Sequence, residues 1–426
     1  MADVIMCSTP GPGHFIPVRT IAVDLLRRGH RVTILTGADF REAVEAIGAT
    51  FADVGDAHDD LEAVLAERNA VPRGLPQLEY DMRNFFISWI PQQHRALQDL
   101  LAQHEDGSVV VVAENFFWGV APLMLGAPGA RPAAFVGIGV TPLTLTSVDA
   151  PPFGMGLPLD SSEEGRARNR EAYAYLHGEV FAGAQAMYAE VLAGLGVTQE
   201  PPFFLDTTIL KADRFLQLSI EELSYRRSDT PEHVRFAGPL PTAEYKGELP
   251  AWWSEVETAE KVVAVTQGTV ANTDFGDLIE PTLEALADLP VLVVAATGRE
   301  GDVRNVPSNA RVATFIPFDQ LLPHTDVLVT NGGFGAVQQA LRNGTPMVLA
   351  GTTEDKLEGN VRTASTGAAI DLAVDRPAVA DIRKAVSDVL SEPRYVENAR
   401  RIAVEYAATD ALTTIALTVR EFGGDR

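Results

Sequence analysis

Residues 4–36 read VIMCSTPGPGHFIPVRTIAVDLLRRGHRVTILT, and this stretch decides the fold class. The apolar run at 4–8 predicts a strand, PGPGH predicts a turn, and apolar residues at helical spacing over 16–28 predict a helix that Gly29 closes. RVTILT then predicts a second, β-branched strand. A strand, a crossover helix and a second strand form a βαβ unit, so the sheet that they begin is parallel.

The alternation of strands and helices continues along the chain in two series. In the first series, SVVVVAE (108–114) and RPAAFVGI (131–138) predict further strands. The second series has strand-like runs with helical segments between several of them, and these runs are KVVAVTQGT (261–269), PVLVVAAT (290–297), ARVATFIP (310–317), DVLVTNGG (326–333) and TPMVLAG (345–351). Two series of this size predict an α/β protein with two facing, Rossmann-like, doubly wound domains.

The boundary between the domains is predicted at 236–250, FAGPLPTAEYKGELP, which is rich in proline and glycine and then polar. An N-terminal domain then spans 1–235 and a C-terminal domain spans 251–426, with a last helix that could pack back on the first domain. Long stretches at 60–104 and 140–205 exceed what the first sheet needs and carry scattered aromatic residues. These aromatics could wall an apolar cavity, although each is also explained as a helix core residue.

Composition excludes several classes of protein. The 426 residues are 46% hydrophobic and 22% charged, as in globular proteins, and a net charge of −24 disfavours a nucleic acid partner. Cys7 is the single cysteine, which excludes an intrachain disulfide and a thiolate zinc cluster. The first residues lack the basic segment of a secretory signal, and the run VVVVA stops at Glu114, so no membrane span is predicted. We expect a cytosolic protein.

Two residues of the first series are candidates for acid–base chemistry. His14 lies between the first strand and the first helix, where α/β sheets bind ligands, and its imidazole could accept a proton from a hydroxyl. Glu114 ends the third predicted strand at the same edge and could orient the imidazole. The alternatives are a histidine that caps the helix and a solvated acid. A nicotinamide-binding loop is disfavoured, because Ile16 stands where its third glycine is needed.

Three loops of the second series predict a site for a ligand with phosphate and hydroxyl groups. NGGFGAVQQ (331–339) follows a strand and opens a helix, whose free N–H groups favour an anion. Gly268 and Thr269 end another strand, and the acidic loop at 354–356 could accept hydrogen bonds from a polyol. The dispersed histidines predict no metal site, and the absence of a Gly-x-Ser-x-Gly motif disfavours a serine hydrolase.

Eight blocks of sequence, in this order and spacing, resemble the family 1 glycosyltransferases of the bacterial macrolide and natural-product type. They are GPGHFIPV (11–18), ENFFWGVAPL (114–123), GVTPLTLTSVDAPPFGMGLP (139–158), FAGPLP (236–241), QGTVAN (267–272), FIPFDQLLPHTDVLVTNGGFGAVQQAL (315–341), GTPMVLAG (344–351) and TEDK (353–356). The resemblance implies a GT-B fold, in which the C-terminal domain binds a nucleotide sugar and the N-terminal domain binds the acceptor across a cleft.

The resemblance also implies roles for the acid–base pair. His14 matches the base that deprotonates the acceptor hydroxyl, and Glu114 falls where the family usually has an aspartate that orients this histidine. The aromatic residues of the long stretches would then contact the acceptor, and those that we expect there are Phe85, Phe86, Trp89 and Phe153.

Donor residues follow from the resemblance in the same way. The backbone of Ile316 would pair with the nucleobase, and Gln339 falls where plant relatives have a ribose-binding glutamate. The helix start at 333–337 would bind the pyrophosphate, and Asp355 with Lys356 would hold sugar hydroxyls. The remaining donor-site residues that we expect are Gly268, Thr269, Asn331, Gly333, Gly335, Ala336 and Val337.

Three positions depart from the family pattern. Asn331 replaces a histidine that contacts phosphate, Ala336 replaces a serine or threonine, and Lys356 replaces a neutral glutamine. These changes bear on the identity of the donor more than on the reaction.

The sequence therefore predicts an inverting, metal-independent O-glycosyltransferase. It would move a hexose from a UDP- or dTDP-sugar to a hydroxyl of an apolar small molecule such as a polyketide, macrolide or phenolic, without a cofactor. We expect a monomer or homodimer with no nucleic acid partner and no integral membrane contact. The alternatives are a GT-B nucleotide-sugar epimerase or hydrolase, and a non-catalytic helper protein of glycosyltransferase type.

Overall fold

The computed structural model describes residues 1–55, 61–242, 244–268, 272 and 274–424. The first half of the chain builds a parallel sheet of seven strands in the order β3-β2-β1-β4-β5-β6-β7. Its strands are β1 (Asp3–Cys7), β2 (Arg31–Thr36), β3 (Thr50–Asp53), β4 (Val109–Glu114), β5 (Ala134–Gly139), β6 (Arg214–Gln217) and β7 (Val234–Phe236).

The described part of the first half of the chain contains nine α-helices. They are α1 (Pro12–Arg27), α2 (Arg41–Glu45), α3 (Leu61–Ala70), α4 (Leu75–Asp81), α5 (Ile90–Leu101), α6 (Ala121–Met124), α7 (Glu163–Tyr175), α8 (Ala182–Gly194) and α9 (Phe204–Lys211). π-helical segments at Met82–Ile87 and Leu176–Val180 continue α4 and α7.

The second half builds another parallel sheet, of six strands in the order β10-β9-β8-β11-β12-β13. Its strands are β8 (Val262–Thr266), β9 (Leu292–Ala296), β10 (Ala310–Ala313), β11 (Val327–Thr330), β12 (Met347–Leu349) and β13 (Ala369–Asp371). The helices of this half are α10 (Trp253–Thr258), α11 (Ile279–Leu286), α12 (Phe318–Leu321), α13 (Phe334–Arg342), α14 (Lys356–Ser365), α15 (Val379–Ser391), α16 (Pro393–Ala407) and α17 (Ala411–Gly423).

Both sheets are covered on their two faces, as the continuous apolar runs of the strands require. Along β1, Val4 and Met6 belong to one core cluster, whereas Ile5 and Cys7 belong to the cluster on the opposite face. All six residues of β4 are buried. A strand buried on both faces cannot show polar–apolar alternation, which is why VVVVA identified a strand but gave no sign of which face lies inside.

The first helix begins earlier than the sequence predicted. α1 starts at Pro12, within the segment that we expected to be a turn, because proline is well suited to the first helical position and Gly11 before it is extended. His14 therefore lies in the first turn of α1. β3 was also missed, since it is a short edge strand with half its residues exposed, and Glu114 accordingly ends the fourth strand of the chain rather than the third.

One described segment, Pro393–Gly423, is long and apolar enough to cross a membrane by length and composition, contrary to the expectation that no segment qualifies. The structure divides this segment into α16 and α17, and Asp410 caps the second helix by accepting a hydrogen bond from the Thr413 amide. α16 packs in the core of the second sheet, whereas α17 returns to the first sheet beside α1. The apolar composition is accounted for by two core helices on different sheets.

Candidate active site

The candidate residues lie where the strand order of each sheet reverses. In the first sheet the reversal falls between β1 and β4, so the start of α1, which carries His14, and the end of β4 at Glu114 are neighbours. In the second sheet it falls between β8 and β11, which brings together the loops that begin at Gln267 and Asn331. Open α/β sheets bind ligands at such switch points.

His14 and Glu114 form a hydrogen-bonded pair. His14 Nδ1 lies 3.0 Å from Glu114 Oε2, and the Glu114 side chain is fully buried while that of His14 is 22% exposed. The Thr9 amide donates to Glu114 Oε1 at 3.1 Å and the Phe116 amide donates to Oε2 at 2.8 Å. Backbone N–H groups thus hold the Glu114 carboxylate in place. With Nδ1 donating to it, Nε2 is left as the acceptor nitrogen of the neutral ring.

Electrostatics couple this pair to the second domain. Burial alone would lower the pKa of His14, but the charge of Glu114, the hydrogen bond to it and the charge of Asp355 together raise that pKa. Burial would likewise raise the pKa of Glu114, but the charge of His14 and hydrogen bonds from His14, Thr9 and Phe116 lower it. Asp355 directly precedes α14 in the second half of the chain, so its charge acts on His14 from the opposite domain.

Aromatic rings stand beside the histidine. The Phe116 ring meets the imidazole edge-on with centroids 5.8 Å apart, and the Phe86 ring lies 6.3 Å away. Phe86 and Phe116 contact each other at 5.0 Å, and Trp118 extends the group at 5.6 Å from both. Phe86 was predicted to contact the acceptor, whereas Phe116 and Trp118 were not, although they follow β4 at the same edge of the sheet.

The other predicted acceptor residues are placed differently. Phe85 is half-buried, whereas Trp89 is 8% exposed and Phe153 is 4% exposed. Trp89 packs in the core beneath the first sheet, and Phe153 packs among the helices α8 and α9. Burial of this kind is what a helix core role requires, so contact of these two residues with an acceptor stays a prediction.

Asn331 joins two loops of the donor side. Its Nδ2 donates to the Gln267 carbonyl, and its Oδ1 accepts from the Gly333 amide at 3.4 Å. Gly268 follows at a φ of +72°, in the left-handed region that glycine tolerates. The asparagine therefore links the loops after β8 and β11. The predicted contact of Thr269 lies outside the described residues.

The start of α13 has no side-chain cap. Gly333 is its N-cap residue and has no side chain that could accept a hydrogen bond, so the first N–H groups of the helix are not capped by a side chain. Gly335 is exposed and Ala336 is half-buried, while Val337 turns into the core at 1% exposure. Gln339 is half-buried one turn further along. Such an end is suited to an anion.

An aromatic face adjoins the predicted nucleobase position. Ile316 is 3% exposed with its side chain in the second core, whereas Phe315 before it is 64% exposed. The rings of Phe315 and Tyr245 lie 5.7 Å apart. Phe315 was not predicted as a site residue, although it is an aromatic residue just after a short strand, at the carboxyl edge of the sheet.

The loop before α14 carries one ion pair and one carboxylate. Lys356 Nζ pairs with the Glu354 carboxylate and lies 3.4 Å from Thr353 Oγ1, so the charge of this lysine is balanced. Glu354 has a φ of +58°, which is rare for a residue with a side chain. Asp355 is half-buried, and desolvation chiefly raises the pKa of its carboxyl group. Within the described ranges, no three His, Cys, Asp or Glu side chains are grouped to hold a metal ion.

Two facing doubly wound parallel sheets, with the candidate residues at their switch points, define the GT-B fold. The chain is 42% identical to UDP-glycosyltransferase 2 of Phaeomoniella chlamydospora over 98% of its length and 95% of that protein. It is 38% identical to 4'-demethylrebeccamycin synthase of Lentzea aerocolonigenes, over 96% and 97% of the two chains. The protein belongs to the family 1 glycosyltransferases.

Two further comparisons agree. Residues 280–422 match the family described as Erythromycin biosynthesis protein CIII-like, C-terminal domain. The crystal structure of the glycotransferase of kitacinnamycin superimposes with a TM-score of 0.73 at 22% identity, over 99% of this chain and 98% of that one. The predicted family, the GT-B fold and the assignment as a glycosyltransferase enzyme acting in natural-product chemistry are confirmed.

Proposed function

We propose that this glycosyltransferase is an inverting O-hexosyltransferase that uses a nucleotide sugar and needs neither a metal ion nor a cofactor. The observation that carries the proposal is the His14–Glu114 pair, held at 3.0 Å and influenced by the charge of Asp355 across the cleft. A base on one domain and a polyol-binding carboxylate on the other are what a direct transfer between acceptor and donor requires. We further propose a cytosolic monomer or homodimer.

His14 acts as the general base in this mechanism. Its Nε2 accepts the proton of the acceptor hydroxyl while the oxygen attacks the anomeric carbon from the face opposite the diphosphate. The bond from that carbon to the phosphate oxygen breaks, and the nucleoside diphosphate leaves. Glu114 keeps the imidazole in the required tautomer and stabilises the imidazolium that forms. One displacement at the anomeric carbon inverts its configuration.

The donor would bind along the edge of the second sheet. The start of α13 near Gly335, which no side chain caps, supports a diphosphate site in which amides and the helix dipole stabilise the leaving group. The exposed ring of Phe315 would stack on the nucleobase of the donor, and the backbone of Ile316 would pair with that nucleobase. Relatives named UDP-glycosyltransferases favour a UDP-sugar over a dTDP-sugar.

The sugar and the acceptor follow from the neighbouring side chains. Asp355 would hold sugar hydroxyls, and because Glu354 already neutralises Lys356, we propose a neutral hexose rather than an acidic sugar. The rings of Phe86 and Phe116 beside His14 support an apolar or aromatic acceptor whose hydroxyl lies against the imidazole.

A matrix of donors and acceptors tests the proposal. UDP-glucose, dTDP-glucose and UDP-glucuronic acid are each incubated with an aromatic polyketide phenol and a macrolide alcohol, and mass spectrometry scores the mass gain. We expect hexosylated products from the UDP-hexose, with the anomeric configuration opposite to that of the donor by NMR. Sugar loss without any glycosylated product, or retention of configuration, would contradict it.

A further inference from the structure

A buried ion pair lies on α14, one turn beyond the residue assigned to the sugar. Arg362 Nε donates to Glu358 Oε1 at 2.8 Å, and each side chain is 1% exposed. Removing two charges from water is expensive, and the cost is offset only where further hydrogen bonds satisfy both groups. The hydrogen-bond partners of the other Arg362 nitrogens and of Glu358 Oε2 therefore indicate which part of the protein the pair keeps in place.

Two of the remaining atoms bond to the first domain, whereas Arg362 Nη2 has no hydrogen-bond partner among the described residues. Arg362 Nη1 donates to the Leu143 carbonyl at 2.9 Å, and Glu358 Oε2 accepts from the Gly156 amide at 3.3 Å. Both residues lie in the segment 140–162 between β5 and α7, which we call the crossing loop. Gly156 has a φ of +59°, and a Cβ there would come within 2.6 Å of Leu357 Cγ, so α14 and the crossing loop are in close contact.

The start of the crossing loop is bonded beside the catalytic pair. Asn115, directly after Glu114, accepts from the Val140 amide through Oδ1 at 2.9 Å. Its Nδ2 donates to Thr141 Oγ1 at 3.0 Å. The crossing loop is thus hydrogen-bonded at its start to Asn115, the residue after Glu114, and further along to α14, the helix that begins after Asp355.

The surroundings of the ion pair are polar but closed to solvent. Arg227, itself 7% exposed, donates to the Leu145 carbonyl of the crossing loop, and the Tyr225 ring lies 5.3 Å from the Arg362 guanidinium carbon. Two arginines therefore hold carbonyls two residues apart in one loop. Because every residue has a backbone carbonyl, these contacts hold the crossing loop in position whatever its side chains are.

We infer that Arg362, together with Glu358, is a positioning residue for transfer: the pair fixes the crossing loop, and with it the end of β4 whose Glu114 orients His14, relative to the donor sugar held at Asp355. The inference rests on the proposed transfer function. Reacting atoms must approach to about 3–3.5 Å, and a displacement of about 1 Å can lower the rate about a hundredfold. A contact between α14 and the crossing loop would set the distance between the reacting atoms without touching either substrate.

Arg362→Gln is the first test, with a matched control. We expect kcat/KM for the acceptor to fall at least tenfold, while the Kd for UDP, measured by calorimetry, changes less than twofold. Arg362→Lys keeps the charge but can make only part of the contacts, so its kcat/KM should be intermediate. The control is Arg342→Gln, because Arg342 donates to the Pro239 and Leu240 carbonyls, in the segment 236–250 between the domains, at 3.3 and 3.4 Å. These two residues lie outside the crossing loop.

A double variant separates positioning from folding, because Arg362→Gln alone leaves a buried carboxylate without its cation. Replacing a buried ion pair by apolar residues of similar volume is often neutral or stabilising, so Glu358→Met combined with Arg362→Met should fold with a Tm near that of the wild type. We expect this variant also to lose at least tenfold in acceptor kcat/KM at an unchanged Kd for UDP.

Each outcome is decisive. Wild-type kcat/KM in the folded double variant, or an equal loss in Arg342→Gln, would overturn the inference. If both Arg362→Gln and the double variant fail to fold, the pair is a requirement of folding and the positioning role is likewise overturned. Absence of transfer by the wild type itself would instead refute the proposed function, which keeps the two failures distinguishable.

Discussion

At the scale of single residues, the assignment of His14 as the proton acceptor can be tested directly. His14→Ala should lower the rate of transfer to an aliphatic alcohol by about 10²–10⁴-fold, because an alcohol is a poor nucleophile until its proton begins to leave. An acidic phenol, already ionised at mildly alkaline pH, should lose much less. Rates for both acceptors, with UDP affinity as the control, check this. Equal losses for alcohol and phenol would indicate a packing role for His14.

The partner carboxylate sets the pH at which the base works. Glu114 raises the pKa of His14 above its ordinary value of 6.5, and only the neutral imidazole can accept a proton. Activity should therefore rise with pH through a value above 6.5 in the wild type. Glu114→Gln removes the charge, so the acidic limb should move to lower pH while the plateau falls, since the imidazolium is no longer stabilised. A kcat/KM profile between about pH 5 and 9 measures both effects. An unmoved limb would contradict the coupling.

At the scale of elements, the start of α13 can be probed with one methyl group. A Cβ added at Gly335 meets no atom within 4 Å, and alanine stabilises a helical position by about 0.5–1 kcal/mol relative to glycine. Gly335→Ala should therefore preserve or raise Tm but weaken UDP binding at least tenfold, because the methyl group occupies the space proposed for the diphosphate. Gly194→Ala in α8, an equally open position, is the control and should leave UDP affinity unchanged.

Elements also show what the sequence could and could not predict. β1, α1 and β2 were predictable because β-branched runs and helical spacing are local, and the His14–Glu114 pairing followed from parallel strands ending at one edge. The α1 start was missed because Pro12 reads as a turn residue until the backbone around it is known. Glu358 and Arg362 are typical of a solvent-exposed i,i+4 pair, so only tertiary packing reveals that they are buried between domains.

At the scale of the whole molecule, the enzyme should work without divalent metal. Amides and the dipole at the start of α13 would stabilise the leaving diphosphate, a role that metal ions fill in other transferases. Transfer rates measured after dialysis against EDTA should equal those in the untreated enzyme within about twofold. A loss that magnesium or manganese restores would contradict metal independence; a loss that neither restores would indicate damage by the treatment.

The path of the chain between the two sheets also determines how the molecule responds to a protease. The chain leaves the first sheet after β7, reaches α10 beside the second, and returns when α17 packs against β4, β5 and α1. Lys246 between β7 and α10 has an 82% exposed side chain, so brief trypsin treatment should nick the protein there. The C-terminal fragment would still contribute α17 to the core of the N-terminal one. Gel filtration should therefore show a single particle of unchanged size, although a denaturing gel resolves two pieces.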